Sequence, residues 1–307
     1  MVGYLTGRVL SAAFVVLGVS CLVFLLIHLI PGDPVEVMLG ESATAADRAA
    51  LRAQMGLDRP VSVQLGHYLQ GLLGFDLGES LHSKRPIADI LVERLPATLK
   101  LAVTALLIAM ALALPLGAIA AVRRDTWCDS GAIGFAMIGV SVPNFVLGPV
   151  LILVFAVVLG WLPVSGDDEA ASLLLPAVTL GTGMAAVLSR MVRAALLEVL
   201  EEDYVRTARA KGLSETRVVI FHALANATLP VVTVLGLQLG TLLGGAVITE
   251  VVFSWPGIGS LTVEAIHSRD YPVLQACILI ISLAYVLVNT ATDLIYAWLD
   301  PRIRLEG

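Results

Sequence analysis

The sequence predicts an all-α membrane protein: six transmembrane helices, both termini cytoplasmic, and a cytoplasmic helical elbow between spans four and five. Three observations predict it. First, 58% of the 307 residues are hydrophobic and only 14% are charged, with a mean hydropathy of +0.90. A soluble core of this size carries more charge. Second, apolar runs long enough to cross a bilayer as helices recur at roughly 9–30, 97–122, 131–160, 173–193, 229–253 and 273–298. Third, 11 of the 19 Lys and Arg residues fall on segments that share one side if the N-terminus is inside.

The spans follow in order. The first keeps one basic residue, Arg8, before a run to Ile30 that is too long for a signal-peptide core and has no small-residue cleavage site after it. Residues 31–95 form an outer loop. Within it Thr44 N-caps a short helix that Gly56 closes, a second helix follows Pro60, and a third starts at Pro86 and ends before Pro96. Pro115 kinks span two. The third run is long for one crossing, and Pro143 and Pro149 lie within it.

The densest charge lies between spans four and five. Glu198–Arg217 holds nine charged side chains in twenty residues. Helical spacing continues from span four through Leu196, Leu200, Tyr204 and Ala208. Lys211 fills the last turn, Gly212 takes the C′ position, and Ser214 N-caps a second helix with Glu215 in its first turn. Asn226 and Pro230 mark the return into span five. A bare connection would need only four to six residues or so. A mixed-charge elbow with an apolar stripe suits a docking surface for a cytosolic partner; a solvated extension of span four that binds nothing is the alternative.

Several classes are excluded by what the chain lacks. Its net charge of −6 and interleaved acids argue against nucleic acid. The three cysteines and five histidines are scattered without metal-ligand spacing, and Cys21 and Cys277 read as small apolar residues inside spans. No G-x-x-x-x-G-K-[ST] loop exists to cradle nucleotide phosphates. No Ser/His/Asp set or carboxylate pair sits at matching depth, so the chain reads as no enzyme. No span carries a buried base or chain of acids of the kind an ion-coupled carrier would need. Uncharged polar residues do occur there: Ser141, Asn144, Gln238 and Thr241 are candidates to line a pathway. Glu250 lies at the outer end of span five.

"DYVRTARAKGLSETRVVIFHALANATLPVVT" resembles the cytoplasmic coupling segment of ATP-binding-cassette (ABC) importer permeases of the peptide branch. "FDLGESLHSKRPIADILVERLPATLKLA", "SVPNFVLG", "LGWLPVSG", "LLLPAVTLG", "VVFSWPGIG", "RDYPVLQ" and "DLIYAWLDPR" resemble that family's other segments in its order, over nearly the whole chain. The long first outer loop is similar to the first of two permeases in dipeptide, oligopeptide and nickel importers. The resemblance implies a single 1–307 transmembrane domain in a bacterial or archaeal cell membrane. It also implies a second, homologous permease, two cytosolic ATPase subunits, and an extracytoplasmic binding protein. No cofactor would bind this chain; ATP and Mg would belong to the ATPases. Asp203, Tyr204, Thr207, Ala208, Lys211, Gly212, Leu213 and Glu215 would lie in or beside the ATPase groove. The generic importer pattern E-A-A-x-x-x-G appears here as Arg206-Thr207-Ala208 with Gly212, and Ala225 stands where the branch often has Arg. The substrate implied is a dipeptide or oligopeptide, with nickel or another small solute as the alternative; an ion-coupled secondary transporter is the rival of another class.

Overall fold

The computed structural model describes residues 2–29, 35, 39, 44–54, 56–166 and 170–299. Apart from one isolated bridge between Glu79 and Pro86, the described residues are helices and turns. Three helices are long and apolar enough to cross a membrane alone, and up to five spans result if each of two bent pairs counts as one. The residues expected around Asp167–Glu169, and Arg302 and Arg304, lie outside the described residues. The chain divides into two compact units, Met1–Thr98 with Pro256–Val286 and Leu99–Trp255 with Leu287–Gly307.

The first unit contains α1 (Val2–Leu29), α2 (Ala45–Gln54), α3 (Val61–Leu73) and the head of α4 (Ile87–Val122), then α11 (Ile258–His267) and most of α12 (Tyr271–Leu299). The α2 cap forms as expected. The Asp47 carboxylate accepts from the Thr44 N–H and hydroxyl, and the Asp47 N–H donates back to Thr44 Oγ1 at 3.2 Å. These bonds hold the Asp47 carboxyl below its ordinary pKa. Gly56 follows at φ +66°, a left-handed closure. The core of this unit joins Ile87, Ile90 and Leu91 to Ile258, Leu261, Val273 and Leu274, and Cys277 is buried among them as an apolar residue.

One expectation fails here. The helix from Pro86 does not stop before Pro96; α4 runs unbroken to Val122, through Pro115 as well. Ala97, Leu101, Ala105, Ala109 and Ala113 form one buried stripe at four-residue spacing. Packing along that stripe outweighs the hydrogen bond that Pro96 removes.

The second unit holds the rest of α4, α5 (Trp127–Ser141), α6 (Asn144–Val158), α7 (Leu174–Leu200), α8 (Asp203–Ala210), α9 (Glu215–Asn226) and α10 (Thr228–Val252). Glycines bring these helices close. A Cβ at Gly117 would lie 2.7 Å from the Ser189 carbonyl, and one at Gly181 2.8 Å from that of Ala105, so α4 lies tightly on α7.

The expected span 131–160 is not one helix. α5 and α6 meet at 103°. Pro143 caps α6, and Val142 before it is extended at φ −90°, ψ 111°, as a residue preceding proline prefers. Of the two prolines flagged in the sequence, Pro143 makes the break and Pro149 sits inside α6. The broken pair still runs from one end of the unit to the other. Asp129 on α5 pairs with Arg193, seven residues before the end of α7. Gly148 on α6 faces Phe253 just past the far end of α10, and the Gly166 N–H donates to the Phe253 carbonyl.

Candidate functional site

The elbow is built from its own residues. α7 stops at Leu200, and Glu202 adopts an extended conformation (φ −68°, ψ 148°) before α8 begins. The continuous helix expected through Ala208 is therefore two helices. Glu201, Glu202 and Asp203 oppose the negative end of α7 but favour the positive end of α8, so the helix divides at the acids. α8 closes with a Schellman turn: Gly212 at φ +79°, its N–H donating to the Arg209 carbonyl and the Leu213 N–H to that of Ala208. Leu213 folds onto Ala208, Val205 and Val218. Val205 and Val218 are fully buried, each contributing about 2 kcal/mol of apolar burial. Ser214 takes the expected cap position of α9, but its side chain makes no capping bond.

Two polar ties cross the elbow. Arg209 holds Glu215 through both carboxylate oxygens, at 3.1 and 2.6 Å. The guanidinium keeps the Glu215 carboxyl below the usual carboxylate range, and the carboxylate raises the Arg209 pKa in turn. The Asn226 amide donates to the Tyr204 hydroxyl at 2.9 Å. Behind the elbow Ala121, Val192, Leu196, Ala223, Ala227 and Val231 pack together, joining α4, α7, α9 and α10. The elbow is thus fastened to the ends of the apolar helices, and α9 turns into α10 through 61°.

Six of the eight residues assigned to coupling, Asp203, Tyr204, Thr207, Lys211, Gly212 and Glu215, are exposed on this elbow. Ala208 is buried and Leu213 half-buried, so those two build the elbow's interior. Thr207 bonds the Asp203 carbonyl within its own helix.

The pathway candidates divide differently. Asn144 and Gln238 both line a pocket of about 330 Å³ beside the Pro143 break, with Gly183, Met184 and Leu242. It lies near mid-length of α7 and α10. A Cβ on Gly183 would sit 3.4 Å from Asn144 Oδ1, so the glycine keeps the amide's space open. Ser141 is exposed and does not line this pocket. The Thr241 side chain lies outside the described residues. Glu250, expected at the outer end of a span, is fully buried.

The sequence also missed a charge pair. Arg193, one of the eleven bases counted on the inner side, donates Nε–H and Nη2–H to the two Asp129 carboxylate oxygens at 2.6 and 2.7 Å. Asp129 is 3% exposed. The available signal was a single acid heading one apolar helix and two bases, Arg190 and Arg193, near the end of another. Among the described residues no three of His, Cys, Asp and Glu gather into a metal-binding group.

Comparison with known proteins fits this architecture. Residues 113–305 match a family described as "Binding-protein-dependent transport system inner membrane component", and residues 1–102 match its N-terminal counterpart. A "Glutathione transport system permease protein GsiC" of Escherichia coli O6:H1 is 46% identical over 306 residues, covering all of both chains. The protein of the same description from Salmonella typhi is 45% identical over the same length. Among solved structures, inward-facing MetNI methionine ABC transporter is similar at a TM-score of 0.59 and 22% identity, over 69% of this chain and 96% of that one. Apolar helices closed by a self-packed charged elbow, with permeases as full-length relatives, define the permease component of an ABC importer. The chain belongs to the family of binding-protein-dependent transport-system inner membrane components.

Proposed function

We propose that this permease forms half of the translocation pathway of an importer for small peptides, with glutathione-like tripeptides as the first substrates to test. The substrate reading draws on likeness to glutathione permeases along the entire chain. In this reading α1, α4, the α5–α6 pair, α7, α10 and α12 are six spans of one transmembrane domain. Both termini and the elbow face the cytoplasm, as the basic residues favour. A second homologous permease completes the pathway, an extracytoplasmic binding protein delivers substrate, and two cytosolic ATPases bind and hydrolyse ATP with Mg.

The observation that carries the reading is the elbow. Its interior is closed by Val205, Ala208, Leu213 and Val218, while Asp203, Tyr204, Thr207, Lys211 and Glu215 are presented outward. A self-packed surface fixed to span ends suits reception of a push from a separate ATPase. Asn144 and Gln238 offer uncharged amides to a peptide, with Ser141 and Thr241 as further pathway candidates. The test is copurification. The wild-type chain should bring ATPase subunits with it. Gly212→Pro, which forces φ near −65° where +79° is needed, should lose them while the apolar helices still insert. Retention of the ATPases by that variant rejects the elbow as their socket.

A further inference from the structure

We propose that Asp129 and Arg193 are positioning residues for transport: their ion pair ties α5 to α7, so that movement delivered at the elbow reaches the Pro143 break and the pocket beside Asn144. The proposal rests on the elbow being the ATPase socket.

The geometry carries it in three steps. α7 runs into the elbow, and its last turns lie in the apolar cluster with α9 and α10. Arg193 stands seven residues before the end of α7 and grips the Asp129 carboxylate with a two-pronged fork. Such planar pairing fixes orientation as well as distance. Further along, a Cβ on Gly139 would lie 2.7 Å from Ala186 Cβ, so α5 touches α7 again one turn before the break. α5 is therefore held to α7 at both of its ends. Beyond it the chain turns by 103° at Val142–Pro143, where the i to i−4 ladder is interrupted. Displacement of α7 would carry α5 with it and be taken up at that break, next to Asn144 and Gln238.

Asp129 has a second task. Its Oδ2 accepts the N–H of Asp125, a non-glycine residue at φ +61°. Loss of Asp129 alone would disturb that turn, whereas loss of Arg193 leaves the bond in place. The two substitutions therefore separate turn formation from the link between helices.

The experiment uses the assembled transporter, with Cys21, Cys128 and Cys277 replaced by Ser and Asn144→Cys as reporter. A membrane-impermeant maleimide labels the reporter with and without ATP. With the pair intact, ATP should change the labelling rate about fivefold or more, within the usual range of coupling between sites. In Asp129→Asn, in Arg193→Gln and in the double variant that response should be lost to the same extent, while ATP hydrolysis continues and the ATPases stay bound. Equal loss in singles and double is the signature of one shared interaction. An unchanged response in the double variant overturns the proposal. So does loss in Asp129→Asn with an intact response in Arg193→Gln, which assigns the effect to the turn. If no charge-removing variant assembles, the pair is a folding element and the proposal falls. No ATP response in the intact-pair protein sinks the elbow reading itself, and this proposal with it.

Discussion

The elbow and the segment 78–86 both lie between long apolar helices, yet they are held differently. The elbow holds itself. Leu213 reaches Ala208, Arg209 reaches Glu215, and Tyr204 reaches Asn226, all within 22 positions. The turn at Ser80–His82 adds to its local bonds a tie from one buried carboxylate 188 to 190 positions away. Asp270 accepts the Ser80 hydroxyl at 2.6 Å and the N–H groups of Leu81 and His82 at 3.2 and 3.3 Å. A self-contained segment can be displaced as one piece. A segment that also leans on a distant group loses part of its hold when that group is removed.

Substitutions can break this contrast, beginning with the largest effect. Asp270→Ala leaves the Ser80 hydroxyl and the Leu81 and His82 N–H groups without their acceptor. It should destabilise the first unit by about 3 kcal/mol and expose residues 78–86 to limited proteolysis. An unchanged cleavage rate would show that the loop is held by something else. In the elbow, Val205→Ala or Val218→Ala should cost about 2 kcal/mol, read as a lower midpoint of thermal unfolding in detergent. Their effect should stay local, leaving the cleavage pattern of residues 78–86 unchanged. Gly212→Ala should cost about 1 kcal/mol, because a Cβ disfavours φ +79°. The smallest effect is Glu215→Gln, at roughly 0.5 kcal/mol for a pair this exposed. Its pH dependence has a definite sign. The folded-state pKa of Glu215 is lowered from 4.5 by Arg209. The pair's contribution is therefore complete above that value and fades as pH falls below it. Thermal midpoints of wild type and Glu215→Gln should converge in acid and diverge toward neutrality.

The same contrast explains what was legible in the sequence. Caps are local chemistry, so Thr44 with Asp47, and Gly212 with Leu213, could be read from a few adjacent letters. Apolar runs are local too, which made the helices visible. Pro96 misled because its effect depends on a buried stripe that only tertiary packing defines. The division of α7 from α8 was hidden because apolar spacing continues past Leu200 while the acids at Glu201–Asp203 end the helix. Pro143 and Pro149 look alike as letters; their neighbours decide which one breaks the span. Asp129 with Arg193 and Ser80 with Asp270 are separated by 64 and 190 positions. No periodicity marks such pairs, and they surfaced only when the helices were placed. The polar letters picked out Asn144 and Gln238, which share one pocket, but could not say that Ser141 lies off it.

The account stands on the elbow being moved by a separate ATPase. The most direct measurement reconstitutes the permease pair in vesicles, with and without the ATPases, and follows labelled glutathione delivered by the binding protein. Accumulation should require both the ATPases and ATP, and should cease when either is withheld. Accumulation by the permeases alone, without nucleotide, would contradict it.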